Sequence, residues 1–167
     1  MRSLAIWMFL FAVVTGTAVA RDETLDELKS RAQNAPPQDR PPLRIRIAEL
    51  QLRNADKLYK EGDVEHARAA VDEIVTYSEQ ARDSAVETKK HLKNVEITVR
   101  KIAERLRNIK RTLALEDQPP IDQAVQRLEE VRTSLLKRMF SKDKDKEKDK
   151  EKDKEKEKEK EKEKEKK

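Results

Sequence analysis

Cysteine is absent from the chain, so no disulfide framework, thiolate metal site or thiol nucleophile can be built from it. Glycine occurs only at Gly16 and Gly62, which excludes a glycine-rich phosphate loop and a glycine-flanked serine elbow. Aromatic residues make up 4% of the sequence, and the one tryptophan is Trp7. Histidine is limited to His66 and His91, with no H-E-x-x-H pattern and no second ligand at zinc spacing. Glu87 and His91 lie four apart and could touch one ion, but on so charged a helix they read as a solvated pair. Ser78, Ser84, Thr76 and Thr88 have no histidine beside them in sequence to activate a hydroxyl. These absences argue against an enzyme and leave no expected catalytic residue, metal site or cofactor.

What is abundant is charge: 44% of the 167 residues are Asp, Glu, Lys or Arg, with a formal net charge of +5. The chain divides into unlike pieces. Residues 1–20 open with Arg2, continue as the apolar run Leu4 to Val14 and end in Ala18-Val19-Ala20. That run is too short for a bilayer span of about 20 residues. Small residues at Ala18 and Ala20 are what signal peptidase needs, so the expectation is a signal peptide cleaved after Ala20. The mature chain is then exported, periplasmic or secreted, with no transmembrane span. From Lys142 to Lys167 lysine alternates with Asp or Glu, giving 14 lysines and 12 acids. In a helix this pattern stacks like charges four apart, and only the three-apart pairs attract. The tail, 142–167, is therefore expected as a disordered polyampholyte, with a partly helical continuation of the last helix as the alternative.

Between these ends the pattern is helical throughout. Prolines occur only as the pairs Pro36-Pro37, Pro41-Pro42 and Pro119-Pro120, which mark helix boundaries. Thr24 to Glu27 fits a capping box and starts a short helix to about Asn34, with Leu25, Leu28 and Ala32 on one side. Pro36 to Pro42 reads as an extended linker of polyproline type, closing a segment 21–42. The helical domain proper is 43–141. Its first helix runs from about Leu43 to Glu61, with Leu43, Ile47, Leu50, Asn54 and Leu58 on one face. Gly62 supplies a left-handed stop and Asp63 a cap, so the next helix should return antiparallel.

Ala55, Leu58, Gly62-Asp63 and Ala67 fall where a tetratricopeptide repeat places its small and turn residues. The segment resembles one hairpin of that family over about a fifth of the chain, with Glu79 where the family has its closing proline. The resemblance implies a helical hairpin of similar shape and no peptide-binding function.

No glycine or proline interrupts Asp63 to Gln118. Apolar or small residues alternate three and four apart from Val64 through Ala67, Val71, Ile74, Ser78, Ala81, Ala85, Thr88, Leu92, Val95, Val99, Ile102, Leu106 and Ile109 to Leu113. A period of 3.5 held this long predicts a coiled-coil seam on one long central helix. A last helix from Pro120 to about Phe140, with Ile121, Ala124, Leu128, Val131, Leu135 and Met139 inward, would fold back on its far end. The expected fold is therefore all-α, an elongated hairpin and coiled-coil bundle built on a rod with a thin middle. The weakly apolar stretch Ser78, Ala81, Ala85 and Thr88 is the place for a bend, a break or a close helix approach. It is also the candidate seam for self-association or a protein partner.

Charge is unevenly spread. Residues 89–111 carry nine basic side chains against Glu96 and Glu104, whereas residues 21–88 carry 11 basic and 15 acidic ones. Lys93, Arg100 and Arg107 recur every seven residues, and Lys89 and Arg111 extend the stripe. Such a stripe could meet an anionic envelope polymer, a membrane surface, an acidic partner or the acidic half of another copy, or it could be a solvated flank. No aromatics interleave with it, so nucleic acid is disfavoured. The leading expectation is an exported, non-enzymatic structural or protein-interaction element of the periplasm or envelope; the alternative is an electrostatic binder acting through the stripe.

Overall fold

A computed structural model describes the backbone of residues 24–165 and the side chains of 24–141. The expected signal peptide and its cleavage site lie outside the described residues. Five helices follow in order: α1 (Leu25–Asn34), α2 (Arg40–Glu61), α3 (Val64–Thr88), α4 (Leu92–Lys110) and α5 (Gln118–Glu165), with no strand among the described residues. Single 3-10 turns at Pro37–Asp39 and Leu115–Asp117 precede α2 and α5.

The capping box at the head of α1 forms as its sequence requires. Glu27 N donates to Thr24 Oγ1 at 3.3 Å and Thr24 N to Glu27 Oε2 at 3.0 Å. The proline-rich segment departs from the expected extended linker. Only Ala35 and Pro36 are extended; Pro37–Asp39 turns, and α2 begins at Arg40 with Pro41 and Pro42 in its first turn. A first-turn proline costs no hydrogen bond, because N–H groups there have no intrahelical acceptor. Arg40 Nε donates to Ala35 O at 2.9 Å and ties the elbow together.

The α2–α3 hairpin turns as the sequence predicts. Gly62 sits at φ 81°, Asp63 N donates to Leu58 O at 3.0 Å, and the Asp63 carboxylate accepts from His66 N at 3.3 Å. Arg44 reaches Gln80 O and Ser84, and Gln51 reaches Glu73, so rising numbers on α2 meet falling numbers on α3.

The long central helix is not formed. Lys89 (φ 56°) and His91 (φ 62°) are both left-handed, and the chain reverses between α3 and α4 without a glycine. Each such non-glycine residue costs roughly 1–2 kcal/mol. The reversal is offset by what α4 then buries: Leu92, Val95, Val99, Ile102, Ala103, Leu106 and Ile109. All fifteen seam positions are buried or half-buried, so their phase is right, but fourteen line two helices of a folded core and Leu113 the loop after them, rather than one rod.

Helix α5 starts two residues earlier than expected, again with its prolines in the first turn, and returns antiparallel to α4. Arg132 meets Glu96 at 2.8 Å, Arg107 meets Glu129 at 2.6 Å and Lys110 meets Asp122 at 2.6 Å. Ile121, Ala124, Leu128, Val131 and Leu135 are buried, with Met139 half-buried behind them. The α5 backbone continues through the alternating segment to Glu165, beyond the expected end at Phe140. For residues 142–165 the backbone alone is described.

The two hairpins lie one on the other. Four cross-contacts define how: Gln38–Lys90 are 52 residues apart, Asp56–Arg105 and Arg68–Asp117 both 49, and Glu79–Arg127 48. A near-constant separation means parallel neighbours in one register, α4 along α2 and α5 along α3. Helix α1 covers the opposite side of the first hairpin. Leu28, Ala32 and Ile47 form a small separate core there, flanked by Leu25, Leu43, Leu50 and Tyr77. Helix α2 is thus apolar on two faces, and its main-core face is Ile45, Ala48, Ala55 and Tyr59 rather than the expected row alone.

Candidate functional site

The candidate seam is closed. Ser78, Ala81 and Ala85 are fully buried in the main core and Thr88 is half-buried. The Ser78 hydroxyl donates to Ile74 O at 2.7 Å and Thr88 Oγ1 to Ser84 O at 2.7 Å, so no polar group there awaits a partner. A seam left open on a rod is covered here because the chain's own helices fold over it. These four residues therefore offer no open face to a second copy or a protein partner.

The basic stripe, by contrast, is at the surface. Lys93 and Arg100 project from α4, Lys89 from the reversing turn and Arg111 from the helix end, all exposed; Arg107 is half-buried. The cations of this segment divide by position. Those at helix interfaces are engaged: Lys90 with Gln38, Arg105 with Asp56, Arg107 with Glu129 and Lys110 with Asp122. Lys89, Lys93, Arg100 and Arg111, with Lys101 beside them, have no ion pair among the described residues. Lys101 does not share the seven-residue recurrence, so the stripe pattern passed over it.

The paired carboxylates respond as their neighbours dictate. Arg107 holds Glu129 below the ordinary carboxylate range, against some desolvation and with help from Arg132. Burial pushes Glu73 and Asp56 up, but their cationic and amide partners outweigh it and both end below their ordinary values. Glu73 joins three helices: Lys29 of α1 reaches it at 2.7 Å, and buried Gln51 of α2 donates to it. Lys29 also lies 5.7 Å from the Tyr77 ring centre.

Two open grooves occur on the α1 side. One, of about 400 Å³, is lined by Gln51, Asn54, Leu58, Asp63, His66, Ala69, Ala70 and Glu73, and the other, of about 550 Å³, sits in the α1–α2 elbow. In the first, His66 Nδ1 lies 2.8 Å from Asp63 Oδ1, which raises the imidazole pKa and lowers that of the carboxyl. No group of three metal-ligating side chains is assembled among the described residues.

A second charged surface escaped the sequence reading. Glu65, Asp72, Asp83 and Glu87 are exposed on the outer side of α3, turned away from its buried face. Their signal was the recurrence 65, 72, 79, hidden inside the net charge of the acidic half. No described helix is long and apolar enough to cross a membrane. No protein-family model, curated protein or solved structure matches the chain.

Proposed function

We propose that the chain is an exported, non-enzymatic interaction element of the periplasm or cell envelope whose working surface is the cationic flank of α4. The observation that carries this is the division of the cations. Arg105, Arg107 and Lys110 are ion-paired with other helices and Lys90, in the turn, is hydrogen-bonded to Gln38, whereas Lys89, Lys93, Arg100, Lys101 and Arg111 have no ion pair among the described residues. Charges that stabilise the fold are paired within it. Charges left over on one flank raise the local concentration of anionic partners and steer their approach. The non-enzymatic reading rests on the missing cysteine, the missing glycine-rich loops and the isolated histidines; export rests on the Leu4–Val14 run followed by Ala18 and Ala20.

The preferred partner is an acidic protein surface. A second reading, an anionic envelope polymer or membrane surface, uses the same residues, and arginine favours it through bidentate contact with phosphate. A photo-crosslinking side chain at Lys101, with Arg53 on α2 as control position, separates them in the native compartment. Protein adducts at 101 that vanish in Lys93→Glu/Arg100→Glu support the first reading. Salt-sensitive binding to anionic vesicles without such adducts supports the second. Adducts of equal yield at both positions, with no vesicle binding, reject both.

A further inference from the structure

The acidic outer face of α3 and the cationic flank of α4 are built to one pattern. On α3 the carboxylates stand at 65, 72, 79 and 83; on α4 and its end the cations stand at 93, 100, 107 and 111. Both sets step by seven, seven and four residues, so each forms one stripe along its helix. Between the charges the stripes carry residues of no matching sign: Ala69, Thr76 and Gln80 on α3, Ile97, Glu104 and Asn108 on α4.

Within one chain these stripes do not meet. No ion pair joins α3 to α4 among the described residues. The α3 carboxylates that are engaged pair elsewhere, Glu79 with Arg127 of α5 and Asp83 with its neighbour Arg82. Glu65 and Asp72 have no ion pair among the described residues, as is true of Lys93 and Arg100. The molecule therefore carries two complementary stripes, exposed at Glu65, Asp72 and Asp83 on one and at Lys93, Arg100 and Arg111 on the other, that it does not itself bring together.

We propose that the partner of the α4 flank is the outer face of α3 in a second copy of this chain, with Asp72 opposite Arg100. This rests on the reading of the α4 flank as the working surface and names its occupant. Run parallel, the helices place Glu65 by Lys93, Asp72 by Arg100, Glu79 by Arg107 and Asp83 by Arg111. Run antiparallel, they place Glu65 by Arg107, Asp72 by Arg100, Glu79 by Lys93 and Asp83 by Lys89. Asp72 and Arg100 meet either way, and no like charges on the stripes are opposed. A contact between two different faces is heterologous, so each copy offers one stripe to the copy ahead and one to the copy behind, and the assembly is an open row unless its rotation closes a ring.

The test exploits that polarity with the full mature chain. Glu65→Lys/Asp72→Lys reverses two charges of the α3 stripe, and Lys93→Glu/Arg100→Glu reverses two of the α4 stripe, so that like charges stand at 72 and 100 in either variant alone. All four positions are exposed and unpaired, and the circular dichroism of each variant checks that its helices are intact. By sedimentation velocity at about 50 mM salt the wild type is expected to associate with rising concentration, and at about 500 mM to return to monomer. Each variant alone is expected to lose association, and an equimolar mixture of the two to regain it. A wild type that stays monomeric throughout at low salt, or variants that associate as the wild type does, would overturn the proposal. If the wild type stays monomeric while Lys93→Glu/Arg100→Glu still abolishes the adducts at Lys101, the α4 flank remains the working surface and only the second copy fails as its occupant.

Discussion

The reversal at Lys89–His91 makes the sharpest distinction between this fold and a rod, and it can be tested by the sign of one effect. Replace Lys89 and His91 together by glycine. Each now holds a left-handed backbone, φ 56° and 62°, at roughly 1–2 kcal/mol against the right-handed basin. Glycine removes that strain but gains about 0.4–1 kcal/mol of freedom in the unfolded chain. The net gain is about 0.5–1 kcal/mol per site, or ~1–2 kcal/mol for the pair. Had residues 63–118 formed one helix, both glycines would lie in its interior and cost about 1 kcal/mol each, a loss of ~2 kcal/mol. The two topologies thus differ by about 3–4 kcal/mol and in direction.

Neither side chain anchors the turn: Lys89 and His91 are both exposed, and the hydrogen bond from the turn to another element among the described residues is Lys90 Nζ to Gln38 Oε1 at 3.2 Å. The readout is equilibrium urea unfolding followed by far-ultraviolet circular dichroism, because Trp7 lies in the expected signal peptide and the remaining core has no tryptophan. The expected result is a higher midpoint at unchanged slope, with the melting temperature up by roughly 3–6 °C. A fall in midpoint for the double variant would refute the reversal and restore the continuous helix.

Three further outcomes follow from the packing and the charges. Leu128→Ala, at a fully buried position facing α4 and α3, is expected to cost about 2–5 kcal/mol in urea unfolding, whereas the same change at exposed Leu115 should be near neutral. Acid should destabilise the fold through Glu73, Asp56 and Glu129, whose folded pKa values lie below the ordinary 4.5 and 3.8. An unfolded chain then binds more protons, so their contribution is complete above the ordinary values and is lost as pH falls through the folded ones. Urea midpoints taken from about pH 6 to 3 should fall, and Glu73→Gln should flatten the fall; a midpoint that rises on acidification contradicts the assignment. Truncation after Ser141 should change stability by no more than about 0.5 kcal/mol, because among the described residues the buried side chains of α5 end at Leu135.

How far the sequence carried depends on whether a local signal existed. Thr24 with Glu27, and Gly62 with Asp63, announce themselves because capping and left-handed turns demand particular side chains. The burial phase from Val64 to Leu113 was equally legible. The reversal was legible only as the weakly apolar stretch Ser78 to Thr88 that ends beside it, because Thr88 and Leu92 keep the four-residue step across it. An apolar row therefore reads alike whether it continues along one helix or resumes on a second, and Lys89 lacks the chemistry of a turn residue, although histidine is among the residues enriched at positive φ. Pro41 and Pro42 carry a signal shared by a linker and a first helical turn, which tolerates both. The α4 stripe was visible as a row of like charge. Which of its members would be free depended on Asp56, Glu129 and Asp122, residues brought near only by the fold.

The interhelix ion pairs are largely exposed and worth about 0–1 kcal/mol each, so the apolar core, not they, holds the hairpins together. Their effect is on register. Sliding the second hairpin one helical turn, about 5.4 Å, leaves small and branched apolar residues on similar ones, because both faces repeat every three to four positions. The charges do not tolerate it. One direction brings Arg105 against Lys60 and Asp117 against Asp72, and only Arg127 keeps an acid, Asp83; the other sets Arg105 against Leu52, Asp117 against Val64 and Arg127 against Val75. Only the observed offset satisfies Arg105–Asp56, Arg68–Asp117 and Arg127–Glu79 together. A sequence whose apolar pattern is too regular to choose one stacking chooses it with charge. The same device, left unsatisfied on the outer faces of α3 and α4, is available to choose a partner.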